Sequence, residues 1–171
     1  MLIDIGLAII TLIIVSLLGT LVEYWAHRLM HIFPGIFKFH TLHHINGRGK
    51  GWLKEFLEYI IFGSPIWLSP LLIVWLTNIS WIIGIFGALG GIGYGSFAAY
   101  AHQLQHDNPS SCEWMKMPTH YVHHRYNQWH HNFGIGVDWW DKMFGTYDLI
   151  DWYNPTEPDQ QKKGYFQILW L

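Results

Sequence analysis

The first 22 residues, MLIDIGLAIITLIIVSLLGTLV, hold one charged side chain, Asp4. As an α-helix, Leu2 to Val22 would extend about 31 Å, enough to cross a hydrocarbon core of roughly 30 Å. A cleaved secretory leader is the rival, but it needs a basic start and a small-residue cleavage site, and MLID and TLVEYWAH supply neither. A retained membrane span is expected. Composition agrees: charged residues make up 13% of the 171 positions, about half the soluble norm of roughly 25%. The length suits one domain.

Two more apolar tracts follow, giving expected spans at about 2–22, 57–77 and 80–101. The short turn TNIS between the last two implies an antiparallel hairpin. Pro65 and Pro70 interrupt the second tract. Either they kink it, or the helix begins at Ser64-Pro65 as cap and first turn, which leaves the span short. In the third tract Gly87, Gly91 and Gly95 fall four apart on one face, where small residues let helix backbones approach closely in lipid. The remainder, 23–55 and 102–150, is polar and rich in histidine, and 151–171 reads as a solvated tail whose end, YFQILWL, is apolar enough to lie back on the membrane.

All ten lysines and arginines lie either between the first and second tracts or after the third. Three spans place both regions on one face, and the positive-inside tendency makes that face cytoplasmic. A net charge of −2 gives no footprint for nucleic acid. Cys112 is the one cysteine, which excludes an internal disulfide and a cysteine-based zinc site.

All twelve histidines fall on the same expected face, and ten of them form two patterns, each used twice. HRLMH gives His27 and His31, and HQLQH gives His102 and His106. These i, i+4 pairs set two rings on one helical face, where they can clamp one metal. HTLHH gives His40, His43 and His44, and HYVHH gives His120, His123 and His124, the first ring of each sharing a face with the other two. Collected without a metal, ten imidazoles would leave many buried donors and acceptors without partners. Four ligands fill a tetrahedral zinc, so ten exceed one ion's capacity and divide as five for each of two. An all-nitrogen set suits iron, zinc, copper or nickel.

His130 and His131 lie outside the pattern, as supporting groups, spare ligands or interfacial residues. Asn132 and Asp138 are candidates to orient ligand rings through hydrogen bonds, as is Glu23, one turn before His27. Trp139 and Trp140 suit the membrane interface.

In the order HxxxH, HxxHH, HxxxH, HxxHH, and in the closing stretch NFG…WDKMFGTY (Asn132 to Tyr147), the chain resembles the fatty acid hydroxylase superfamily, also called the sterol desaturase family, over roughly residues 23–147. The resemblance implies an all-α integral membrane enzyme with a histidine-ligated di-metal centre. It further implies two iron ions as cofactors, with zinc an alternative in the isolated protein, and O2 as co-substrate for hydroxylation or desaturation of a lipid such as a fatty acyl chain or sterol. Carotenoid ring hydroxylases carry similar boxes, but WDKMFGTY favours the hydroxylase/sterol desaturase side. Nothing in the chain binds a nicotinamide or flavin, so electrons are expected from a separate ferredoxin, cytochrome b5 or reductase. A bacterial inner membrane or the endoplasmic reticulum is the expected location, with self-association left open. The opposing hypothesis is a non-redox zinc-binding membrane protein. A metal carrier usually holds its ligands near the bilayer midplane, and no histidine lies inside any of the three tracts.

Overall fold

The computed structural model describes residues 2–171. Among them there is no strand. Seven α-helices follow one another: α1 (Leu2–Ile32), α2 (Lys38–Asn46), α3 (Trp52–Phe62), α4 (Ser64–Thr77), α5 (Trp81–Asp107), α6 (Thr119–Arg125) and α7 (Trp139–Phe144). Single turns of 3-10 helix occur at Pro109–Ser111 and Pro158–Gln160. Helices α1 and α5 are each long and apolar enough to cross a membrane, and α3 with α4 makes a third crossing if the bent pair is one span. The side chains that α1 exposes, among them Ile9, Ile10, Ile13, Ile14, Leu17 and Leu18, form a surface suited to lipid rather than water.

The second tract differs from a single span over 57–77. Its break falls at Gly63, where α3 and α4 meet at a bend of 49°. Ser64 opens α4 with Pro65 in its first turn, where a missing amide hydrogen costs nothing. Pro70 remains inside α4, buried against Gly87 of α5. Fourteen residues of α4 reach only about 21 Å, so α3 must supply the remainder of any crossing.

Close contacts fix the helix directions. Ser16 Oγ donates to the carbonyls of Leu12 (2.9 Å) and Gly90 (3.1 Å), and Gly19 lies against Tyr94, so α1 and α5 run parallel. A Cβ on Gly84 would meet Val74 at 2.8 Å, one on Gly87 Pro70 at 2.6 Å, one on Gly91 Trp67 at 2.8 Å, and one on Gly95 Ile60 at 3.6 Å. Partner numbers fall as glycine numbers rise, so α3 and α4 run antiparallel to α5. The stripe Gly87, Gly91, Gly95 is thus the face on which the bent pair seats. Because α1 and α5 are parallel, their C-terminal ends, which carry His27, His31, His102 and His106, emerge together. At 1.5 Å per residue, α1 exceeds a 30 Å core by about 15 Å and α5 by about 10 Å, long enough for both pairs to project beyond an apolar layer of that thickness.

The tail does not extend freely. Leu169 and Trp170 carbonyls accept from the amides of Trp52 (2.8 Å) and Leu53 (3.0 Å), satisfying the first turn of α3, and the Leu169 amide donates to Asp107 Oδ2 at 2.7 Å. Phe166 and Leu171 still face outward.

A Cβ at position 90 would lie 2.4 Å from the Leu12 carbonyl oxygen, a backbone atom that cannot turn aside, whereas one at position 93 meets nothing within 4 Å. Gly90→Ala is expected to destabilise the detergent-solubilised protein by about 1–3 kcal/mol, while Gly93→Ala leaves it unchanged or slightly firmer. Paired thermal unfolding curves check this.

Candidate metal centre

Four helical pieces bring the histidines together: the ends of α1 and α5, and the short helices α2 and α6. At 100° per residue, positions i and i+4 are 40° apart, but i+3 and i+4 are 100° apart. One ion can therefore take the outer members of HxxHH and not all three. The structure divides each triplet in this way. One group is His27, His31, His40, His44 and His123; the other is His43, His106, His120 and His124, each with donor atoms within 4.8 Å of one another. His102 joins the second group through Nε2, 3.2 Å from His43 Nε2. The triplets are thus shared: His40 and His44 face one centre and His43 the other, while His120 and His124 face the second and His123 the first.

Within the first group, Nε2 atoms lie 2.8 Å apart for His31 and His40, 2.9 Å for His31 and His123, 3.1 Å for His40 and His44, and 3.3 Å for His27 and His31. In the second, His43 is 3.2 Å from His106, which is 3.1 Å from His120. Nitrogens each about 2.1 Å from one ion are about 3.0 Å apart at right angles and about 3.4 Å apart at the tetrahedral angle. The observed spacing fits right-angle coordination by five donors better than a closed tetrahedron. Tautomers agree. His27 Nδ1 donates to the Phe133 carbonyl at 2.6 Å and His123 Nδ1 to the His131 carbonyl at 2.7 Å, so both turn a bare Nε2 inward. One proton on His31 can satisfy one of those lone pairs but not both. His124 has both ring nitrogens buried without a hydrogen-bond partner. The donor set therefore suits a pair of cations.

The fatty acid hydroxylase family model matches residues 12–146, which take in every one of these rings. The chain belongs to the fatty acid hydroxylase family. No solved structure matches it. Membership makes it an oxidoreductase of the lipid hydroxylase/desaturase kind.

In this family member residues 133–136 brace the site, and Phe133 aims the ring of His27. The amides of Phe133 and Gly134 donate to Asp141 (2.8 and 2.7 Å), and those of Ile135 and Gly136 to Glu23 (2.9 and 3.1 Å). The four carbonyls accept from His27, Thr119, Gln105 and Trp114 in turn. Gln105 also accepts the His120 amide at 2.8 Å. Two buried carboxylates thus fix a peptide that meets the His27 ring directly and the His120 backbone through Gln105, and no side chain fits at position 134, where a Cβ would lie 2.1 Å from the Val137 carbonyl oxygen.

The sequence candidates for ring orientation take other places. Glu23 is fully used by residues 135 and 136 and by the Tyr94 hydroxyl at 2.7 Å, and His27 Nδ1 is already engaged with Phe133. His131 contributes its carbonyl, its ring being exposed, and His130 is exposed beside it. Asn132, in a left-handed turn with φ of 60°, bonds to Asp148 and Gln128. Asp138 pairs with Lys142 at 2.7 Å. Trp140 donates to Thr20 at 2.8 Å, tying α7 to α1, while Trp139 is largely exposed. Sequence reasoning missed Gln105 and Glu55, whose partners Ile135 and His102 are remote in the chain, and Asp141, whose partners Phe133, Gly134 and Thr146 lie within eight residues; the position of Asp141 inside WDKMFGTY was the only available signal.

A cavity of about 200 Å³ leads from His27, His40, His43, His102 and His120 into the membrane-facing half of the molecule. Away from the rings its walls include Val22, Ala26 and Met30 of α1, Phe62, Ile66 and Trp67 around the bend, and Gly91 of α5, while Glu23, Lys50, Glu55 and Glu58 also border it.

Burial, and after it the neighbouring imidazoles, hold His40, His43 and His44 down to about 2, 3 and 4. His120, His123 and His124 are lowered for the same reasons. The unfolded chain takes up these protons near pH 6.5 and the folded chain refuses them, so this contribution is whole above pH 6.5 and drains as pH falls. The metal-stripped protein is expected to lose thermal stability progressively from pH 6.5 toward pH 4, with the sharpest fall in that window. Melting temperature against pH checks it.

Proposed function

We propose that the protein is an O2-dependent di-iron enzyme that hydroxylates or desaturates a membrane lipid. The observation that carries this reading is the cavity: two five-imidazole groups border an apolar pocket between membrane helices. Iron bound there supplies the redox chemistry with O2 that an unactivated C–H bond requires and that side-chain acids and bases lack. The ten box histidines, His27, His31, His40, His43, His44, His102, His106, His120, His123 and His124, are the proposed ligands. Val22, Ala26, Met30 and Ile66 exclude water and align an alkyl segment, so the carbon that reaches His27 and His120 is selected by depth. Hydroxylation uses two electrons from the C–H bond and two from a donor, one oxygen entering the lipid and the other leaving as water. A separate cytoplasmic ferredoxin, cytochrome b5 or reductase supplies the donor's pair. The charge asymmetry supports the sidedness, since every lysine and arginine lies with the histidines rather than at the 77–80 turn.

Metal analysis of protein from iron-replete cells, paired with mass spectrometry of host lipids, tests the reading. Two iron ions per chain and new oxygenated or unsaturated lipids are expected, and His43→Ala should abolish both the lipids and part of the metal. Ala26→Phe, which fills the cavity and replaces no proposed ligand, should keep the metal and lower lipid oxidation at least tenfold. Zinc at full occupancy with an unchanged lipid profile would establish the non-redox alternative instead.

A further inference from the structure

The two groups differ in what stands behind them. In the first, the outward nitrogens of His27 and His123 meet neutral peptide carbonyls. In the second, His102 Nδ1 lies 3.1 Å from Glu55 Oε2, at ion-pair distance, and both side chains are buried. Among the described residues this is the one carboxylate so close to a box histidine. Glu55 is held from its other side as well, Oε1 accepting the Lys50 amide at 3.0 Å. The Lys50 ammonium is turned away to Glu58, at 2.7 Å, leaving Glu55 directed at His102.

Five neutral imidazoles contribute no negative charge, so each divalent ion would bring its full charge into a dry site. A carboxylate behind one ligand offsets part of that charge, fixes the ring's tautomer and makes its inward nitrogen a better donor; such partners are typically worth about 10–100-fold in metal affinity. We propose that Glu55 is a positioning residue that acts through His102 to make the two sites unequal, the group of His43, His102, His106, His120 and His124 filling first and holding its ion more tightly. This rests on the two-ion reading above.

Titration of the metal-stripped, detergent-solubilised full chain with Co2+, whose visible absorption follows occupancy, is the test. The wild type should fill in two resolved steps. Glu55→Gln should weaken the tighter step by about 10–100-fold and leave the weaker one in place. Glu55→Asp should recover part of the loss and also covers the case in which the glutamine variant folds poorly. Glu58→Gln, which removes the neighbouring ion pair without touching His102, should leave both steps intact, and His31→Ala should abolish the weaker step alone. Equal steps in the wild type, an unchanged curve for Glu55→Gln, or a parallel weakening of both steps would overturn the proposal. A wild type that binds no Co2+ would instead overturn the two-ion reading beneath it.

Discussion

Bare imidazole nitrogens repel one another at 3 Å unless something electropositive lies between them. The protein nevertheless gathers ten rings into two groups at about that spacing, and much of its architecture can be read as the means of holding them there. Parallel α1 and α5 deliver two ring pairs at one level. The short helices α2 and α6 deliver two triplets, each divided between the groups because successive helical residues diverge by 100°. No single helix completes either group. The first draws on α1, α2 and α6 and the second on α2, α5 and α6, so the centres form only when the spans are docked.

The peptide 133–136 is the other organising element. It has no helical or strand partner, yet each of its amides and carbonyls is satisfied by a side chain from elsewhere. Buried backbone must find such partners, and here Asp141 and Glu23 take the amides in pairs. Burial, and to a smaller extent the neighbouring Asp138 carboxylate, pushes the Asp141 carboxyl up, while the Thr146 hydroxyl and two amides oppose this. The contacts fix the direction of the Phe133 carbonyl and hence the tautomer of His27.

Features encoded by short-range spacing were legible in the sequence. The HxxxH and HxxHH boxes state which rings share a helical face, and the Gly87, Gly91, Gly95 series states where two helices approach. The break in the second tract was legible only as a choice: two prolines drew attention, but α4 accommodates Pro65 in its first turn and Pro70 in its interior, and the chain bends at Gly63. Support of the rings was largely hidden. Glu23 stands one turn before His27, at the spacing from which it could serve that ring, yet it turns to amides 112 and 113 residues away. Glu55 and His102 are likewise joined only by tertiary packing. Local periodicity carries no information about which distant donor claims a carboxylate first.

The bend at Gly63 has a consequence for what governs turnover. It leaves one wall of the cavity to residues at the kink of a broken apolar helix. A reactant arriving there would diffuse in two dimensions, and its effective concentration would be its mole fraction among neighbouring lipids. Kinetics of such a catalyst would follow bilayer composition rather than the amount of reactant in the cell. Changing bilayer thickness or fluidity would then alter the rate with every residue of the protein left as it is.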